Sequence, residues 1–553
     1  MSALTRFFLS RDSSLRKDLT VLFLLFGAIY VQFLGRIPLF EPDEGRYAEI
    51  PREMLELGDF VTPLLNYVKY FEKPPLLYWL NAISMVVFGE NEFAVRFPTA
   101  LCGVLTVLLV YYAGRRLFGR REGVVASLML GSCTGFMVQS RLAITDILLT
   151  FCLSTSLICF FLAVQGDEKH KNSFYYLFYA FAALAVLSKG LIGILLPGIV
   201  IFTYLLLTRS WRLLGEMRLF SGITLFLAIS APWFVLVSLK NPEFAGFFFI
   251  HEHFERFLTK VHGRYQPLWF FLPVLFVGML PWSFFIPSAL RSAWRSRNQS
   301  AAPFRFFLVI WSLLIFLFFS KSNSKMIPYI LPVYPPLALL IGSALVKSLD
   351  GESRFFRFSA RFAGLFLALI GIAAIGYVYI APEPIVTLWG GWTIGLIFLL
   401  QGILALVAAF RQDTVCLVKG LFCSALVLML IGPAIVLGQL VEIKSLKSIG
   451  LAVRRLATPD TVVVSQYVRQ GLSFYSHRRV VIFDGVGELE FGSRQGDNKA
   501  WFIDKAQLSA LWDSKRPVLS LIRRDYLPEF KVMVRTPPRI VSENRKFVLI
   551  SNR

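Results

Sequence analysis

The sequence predicts an α-helical polytopic membrane protein carrying a small α/β domain at its C-terminus. Three observations predict it. Of 553 residues, 56% are hydrophobic and only 17% charged, where a soluble domain has about 45–50% apolar and about 25% charged residues. The apolar residues fall in runs of roughly 17–25, the length that crosses a bilayer as helix. After residue 441 the pattern changes to short β-branched stretches separated by polar turns. A mean hydropathy of +0.62 excludes both a single soluble core and disorder, which requires low hydrophobicity.

Taken in order, the candidate spans lie near 19–38, 93–114, 122–140, 143–165, 173–188, 190–208, 219–239, 267–290, 305–320, 327–346, 362–381, 391–410 and 420–440. That makes about thirteen, give or take one or two by hydropathy reasoning. The first run has no small-residue cleavage site and is long enough to span, so it reads as a retained helix and not a signal peptide. Residues 1–440 thus form a transmembrane domain, whose first outer loop holds two helices. In it, Tyr47, Ile50, Met54 and Leu57, then Leu76, Leu80, Ile83 and Val87, recur at helical spacing, the pattern of helices lying on a membrane surface. Residues 441–553 form the α/β domain. Thr461–Val464 and Arg479–Phe483 read as strands, Asp484-Gly485 as a turn and Lys505–Trp512 as a short helix.

The net charge of +22 raises the question of nucleic acid, but the cations lie largely in short loops. Arg6, Arg11, Arg16 and Lys17 precede the first span, and alternate loops carry Arg115, Arg116, Arg120 and Arg121, then Arg209, Arg212 and Arg218. Arg291, Arg295, Arg297 and Arg305, then Lys347, Arg354, Arg357 and Arg361 continue the alternation. The positive-inside rule puts these on the cytoplasmic face, with the N-terminus. An odd number of spans sends the C-terminal domain to the outer, periplasmic side of a bacterial inner membrane. The six cysteines lie in or beside apolar runs and fit neither a disulfide framework nor a cysteine-based zinc site.

With that topology, unusual polar residues gather on one face. Asp43 and Glu44 follow the first span. Glu72 and Lys73 precede Pro74-Pro75, and Asp146 sits at the outer end of the fourth span. His251, His253 and Arg256 follow the seventh, and Lys325 and Tyr329 lie between the ninth and tenth. Each has a bland reading. Asp43, Glu44 and Asp146 suit helix caps, Lys73 suits a snorkelling lysine, Tyr329 suits an aromatic belt, and a lone histidine is usually structural. Convergence from at least five loops favours chemistry, since caps and belts decorate both faces alike.

The Asp43-Glu44 pair, the Lys73-Pro74-Pro75 step and Asp146 resemble the C-class membrane glycosyltransferases (GT-C). Within them the similarity is greatest to the bacterial aminoarabinose transferase family of lipid A modification. Its motifs resemble His253-Phe254-Glu255-Arg256-Phe257, Gln266-Pro267-Leu268-Trp269-Phe270, Pro281-Trp282, Met326-Ile327-Pro328-Tyr329-Ile330-Leu331-Pro332 and Gly487-Glu488-Leu489-Glu490-Phe491-Gly492. The motifs run in order along nearly the whole chain. The resemblance implies inverting transfer of a sugar, 4-amino-4-deoxy-L-arabinose, from a polyprenyl (undecaprenyl) phosphate to a lipid A phosphate. A donor held in the bilayer agrees with the missing glycine-rich nucleotide turn and with a site facing away from the cytoplasm.

The developing phosphate charge calls for cations and hydrogen-bond donors, for which Lys73, Arg256, Lys325 and Tyr329 are candidates. Asp43 is the candidate that orients or deprotonates the acceptor, with Glu44 and Asp146 beside it. Glu72 with His251 or His253 has the ligand types for zinc, against a structural His–Glu contact. Three rivals remain. A lipid or solute transporter calls for ionisable residues near the bilayer midplane and repeats. A sensor calls for an intracellular output module. A related transferase would carry another sugar to lipopolysaccharide core or protein hydroxyls.

Overall fold

The computed structural model describes residues 13–165, 168–255, 265–296, 299, 301–350, 354–381 and 386–553. Of residues 168, 251–255, 349, 350, 354, 355, 436–440 and 442, the backbone alone is described. The chain divides into two compact units. One comprises 1–32, 99–235 and 245–436, the other 33–98, 236–244 and 437–553.

The first unit holds most of the membrane-crossing helices. Among the described residues, eight helices of the chain are long and apolar enough to cross a bilayer, or up to ten if each of two bent pairs is one span. The bent pairs are Arg120–Ser132 with Thr134–Ser140 and Leu268–Gly278 with Ser283–Arg295, at 66° and 114°. Three other expected segments are helical without meeting that criterion. Leu15–Val31 and Ile192–Thr208 have 17 residues each, and Glu168–Lys189 opens on charged residues. Arg354–Ile380 and Leu388–Arg411 pack along glycines. A Cβ on Gly371 would lie 2.6 Å from the Gly395 carbonyl, and one on Gly364 2.8 Å from that of Gly402. Small residues let membrane helices approach this closely, where packing replaces the hydrophobic drive. Asp18, fully buried, ties the first helix to its neighbours through Arg120, at 2.7 Å on both oxygens, and Arg115, at 3.0 Å.

The second unit contains a short hairpin, β1 (Leu64–Leu65) and β2 (Val68–Lys69), and a six-stranded sheet. The sheet strands are β3 (Val462–Ser465), β4 (Val481–Phe483), β5 (Phe502–Ile503), β6 (Val518–Arg523), β7 (Arg539–Glu543) and β8 (Phe547–Ser551). Their order is β5-β4-β3-β6-β8-β7, parallel from β5 to β6 and antiparallel beyond. Both faces are covered. Val464, Val481, Trp512 and Phe530 pack on one, and Val463, Ile482, Leu472 and Ile449 on the other. Two-sided burial explains the near-continuous apolar strands seen in the sequence. The expected turn at Asp484-Gly485 has positive φ at both residues, +68° and +157°. The helix over Lys505–Trp512 is capped by Asp504 and Gln507 in a reciprocal box.

The two outer-loop helices differ from one another. Leu76–Phe88 leaves Ile83, Val86 and Val87 exposed at 62–70%, an apolar stripe of the kind an interfacial helix presents. Asp43–Leu57, expected to lie on a surface, is buried continuously from Glu44 to Met54. Its polar side is enclosed because nearly every charge there finds an opposite charge.

Candidate active site

In the second unit, Asp43 opens the helix Asp43–Leu57, and Arg46 lies one turn on. Arg46 Nη1 is 3.3 Å from Asp43 Oδ1. Its Nε donates to Glu488 Oε1 at 3.2 Å, and Nη2 donates to the other carboxylate oxygen. Gln470 donates to the same carboxylate. Burial raises the Glu488 pKa, while Arg46 opposes the rise. Arg46 therefore serves two carboxylates, and of these Asp43 keeps 42% of its side chain open against 18% for Glu488.

Glu44, expected beside Asp43 in catalysis, has another task. It is 2% exposed, and Arg96 grips it through Nε–Oε1 at 2.7 Å and Nη2–Oε2 at 2.6 Å. Arg96 also donates to the carbonyls of Leu34 and Pro38 at 2.8 and 2.9 Å. A forked guanidinium pair of this kind fixes geometry, and here it pins the loop entering the Asp43 helix. The close approach of Gln470–Ser476 depends on Gly45, where a Cβ would lie 2.6 Å from the Gly471 nitrogen.

Lys73 is half-buried and donates to the Glu72 carbonyl at 2.8 Å. The preceding Phe71 packs against Phe244 and Phe491, with ring centroids 5.2 and 5.9 Å away. Phe491 and Glu488 both belong to the Gly487–Gly492 motif, and Gly492 itself abuts Lys69, where a Cβ would sit 2.3 Å from the carbonyl. The motif thus supplies Arg46's partner, a ring on Phe71 and a close contact to the hairpin.

In the first unit, Asp146 lies in the first turn of Thr145–Gln165 and forms a nearly buried ion pair with Lys189, the last residue of Glu168–Lys189. The Lys189 ammonium lies 4.3 Å from the centroid of the Tyr329 ring, close enough for a cation–π contact. Asp146, Lys189 and Tyr329 therefore form one linked group. Lys325, expected as a phosphate donor, is 5% exposed and donates to the carbonyls of Gln266 and Ser322 at 2.8 and 2.6 Å. Burial lowers its pKa.

Arg256 lies outside the described residues, as do the side chains of His251 and His253. The backbone of Gly246–Glu255 is a π-helix, a rare conformation that is frequent at functional sites. Among the described residues, no three His, Cys, Asp or Glu side chains are placed to hold a metal ion. Sequence reasoning missed three residues: Arg46, Glu488 and Lys189. The signal for Lys189 was a lysine between two apolar runs, which is costly in a membrane and so a functional candidate by default.

The model of the dolichyl-phosphate-mannose-protein mannosyltransferases matches residues 72–236, and that of the aminoarabinose transferase C-terminal domain matches 449–552. Several relatives carry the name undecaprenyl phosphate-alpha-4-amino-4-deoxy-L-arabinose arabinosyl transferase. That of Aeromonas salmonicida is 36% identical over 370 residues, and the match spans 66% of each chain. That of Edwardsiella ictaluri is 32% identical over 533 residues, 91% of this chain and 92% of the relative. Among solved structures, ArnT from Cupriavidus metallidurans bound to undecaprenyl phosphate superposes with a TM-score of 0.83 at 27% identity, covering 98% and 99% of the two chains. The Archaeoglobus fulgidus oligosaccharyltransferase, at 16% identity and a TM-score of 0.51 over 84% and 63% of the chains, shares the fold alone. Likeness over essentially the full length, together with the multi-pass helical architecture, places this chain in the undecaprenyl phosphate-aminoarabinose arabinosyl transferase family of membrane glycosyltransferases.

Proposed function

We propose that this chain transfers 4-amino-4-deoxy-L-arabinose from undecaprenyl phosphate to a phosphate of lipid A, at the periplasmic face of the bacterial inner membrane. The observation that carries this reading is the full-length match to a structure bound to undecaprenyl phosphate. In this reading the N-terminus is cytoplasmic, residues 1–440 hold the transferase domain, and residues 441–553 are periplasmic.

The chemistry is a single displacement. A lipid A phosphate oxygen attacks the anomeric carbon as the bond to undecaprenyl phosphate breaks, inverting that centre and leaving an anionic phosphate. Asp43 orients the acceptor and takes its remaining proton. Arg46, braced by Glu488, holds Asp43 in place. No strong base is required, because a phosphate monoester is already anionic near neutral pH.

Charge developing on the departing phosphate is met by preorganised cations and hydroxyls, typically worth about 10²–10³-fold each. Lys73, Arg256 and Tyr329 take this part. Glu44 and Lys325 become positioning residues, Glu44 through Arg96 and Lys325 through the carbonyls of Gln266 and Ser322. Asp146 and Lys189 position the Tyr329 ring. Glu72, His251 and His253 keep the ligand types for zinc.

The test is reconstitution of the purified chain with undecaprenyl-phosphate aminoarabinose and lipid A, followed by mass spectrometry. Lipid A carrying one added aminopentose on a phosphate is the expected product. Its absence, or a product modified on a hydroxyl, defeats the reading.

A further inference from the structure

Beside Pro42 lies a cleft of about 700 Å³ that the mechanism above does not use. Its lining brings together Lys444, Arg469, Arg523, Arg524, Arg545 and Lys546, with Glu41 and Asp525 as the carboxylates. All belong to the second unit. Asp525 is taken by Arg523, with Arg523 Nε at 2.9 Å from Oδ1, and Arg524 pairs with Glu543 at 3.0 Å. Lys444, Lys546 and Arg469 have no ion-pair partner among the described residues. The Arg469 guanidinium instead lies 4.8 Å from the centroid of the Phe547 ring. Like charges held this close repel one another, and burial already lowers the pKa of Arg469. A multivalent anion in the cleft would relieve that repulsion.

Glu41 is the second observation. Its Oε1 accepts from the Gly471 N–H at 2.6 Å, while its Oε2 is buried without a partner. Burial pushes its pKa up to about 7, so near neutrality a large fraction carries a proton and can donate to a phosphate oxygen. The cleft volume falls in the range of sites for small ligands, about 300–1,000 Å³, and suits a phosphorylated disaccharide. Ile443 and Lys444 of the lining end Thr414–Lys444, the last membrane-length helix among the described residues, and Pro42 immediately precedes Asp43.

We infer that this cleft seats a phosphomonoester of the acceptor lipid's saccharide headgroup, gripped by Arg523, Arg545 and Lys546, so that the acceptor is presented to Asp43. The inference rests on the lipid acceptor proposed above and adds the place where that lipid is recognised.

The test measures binding without turnover, using the full chain in phosphatidylcholine nanodiscs and bisphosphorylated lipid A as the probe. Arg523→Ala with Arg545→Ala should weaken binding about 30-fold or more, given that each charge-assisted hydrogen bond is worth roughly tenfold or more. Undecaprenyl phosphate should bind the variant within about twofold of wild type. Arg523→Lys with Arg545→Lys should retain lipid A binding within about fivefold, since point charge remains where the fork is lost. Dephosphorylated lipid A should bind wild type as weakly as the alanine variant binds the phosphorylated lipid.

Unchanged lipid A binding in the alanine variant overturns the inference, as does an equal loss for undecaprenyl phosphate. So does complete competition by phosphatidylglycerol or by inorganic phosphate at equal phosphate concentration, which would make the cleft a general anion site. If the alanine variant fails to fold, wild-type binding decides by its salt dependence. A several-fold loss between about 0.05 and 0.5 M salt is expected from screening, and salt-independent binding overturns the cleft. Absent transfer with intact, cleft-dependent binding defeats the proposed reaction and leaves this site standing.

Discussion

Asp43 and Glu44 are adjacent in sequence and chemically alike, yet their surroundings give them different tasks. Both oxygens of Glu44 are occupied by Arg96 in a region that excludes water, whereas Asp43 gives one oxygen to Arg46 and leaves the rest of its carboxylate open. The Asp146–Lys189 pair of the other unit lies between these extremes, nearly buried yet leaning its cation on the Tyr329 ring. A carboxylate whose acceptor sites are all filled holds the fold. One that is braced on a single side and open on the other is ready for substrate.

The comparison breaks most readily at Glu44. Glu44→Ala leaves Arg96 buried without its partner, and breaking a buried pair from one side costs about 3–5 kcal/mol. The expected result is a large fall in the unfolding midpoint, with activity lost along with the fold. Asp43→Asn should instead leave the midpoint within a degree or two while lowering turnover about 10²-fold or more, measured as aminopentose transfer. Loss of stability in the Asp43 variant, or normal turnover, would erase the distinction between the two neighbours.

Lys189→Met sharpens the intermediate case. It removes the cation between Asp146 and Tyr329 while keeping the volume. Turnover should drop about tenfold, and about 10²-fold in Tyr329→Phe, which keeps the ring beneath the ammonium but removes the hydroxyl that meets the departing phosphate. A smaller loss in Tyr329→Phe than in Lys189→Met would show that the ring's contact with the ammonium, not the hydroxyl, is what matters.

The extent to which this was legible follows from the physics of each signal. Helices were visible because a span must be apolar over its whole length, and the central strands because both sheet faces are covered. Asp43, Lys73 and Tyr329 stand out as candidates because polar residues at span ends are conspicuous. The division of labour between Asp43 and Glu44 was not legible, since it depends on Arg96, 52 positions away in the chain. Arg46's partner Glu488 lies 442 positions away, and no local pattern announces such a pairing. The bends at Cys133 and around Pro281 were likewise invisible to hydropathy, which registers composition and not direction.

The smallest effect concerns Glu41, whose carboxyl the fold holds at a pKa of about 7 against an ordinary value of 4.5. Between those values the folded chain keeps a proton that the unfolded chain has released, so folding is favoured more at the acidic end. That contribution is full below about pH 4.5 and is lost as the pH rises through about 7. The residue is half-buried and solvent screens part of the effect, leaving about 1–2 kcal/mol. Comparing unfolding midpoints from about pH 5 to about pH 8, Glu41→Gln should lag wild type least at the alkaline end, because the amide cannot ionise. A difference that is flat with pH would mean Glu41 stays charged throughout, and the contrast between enclosed and open carboxylates would then stop short of this residue.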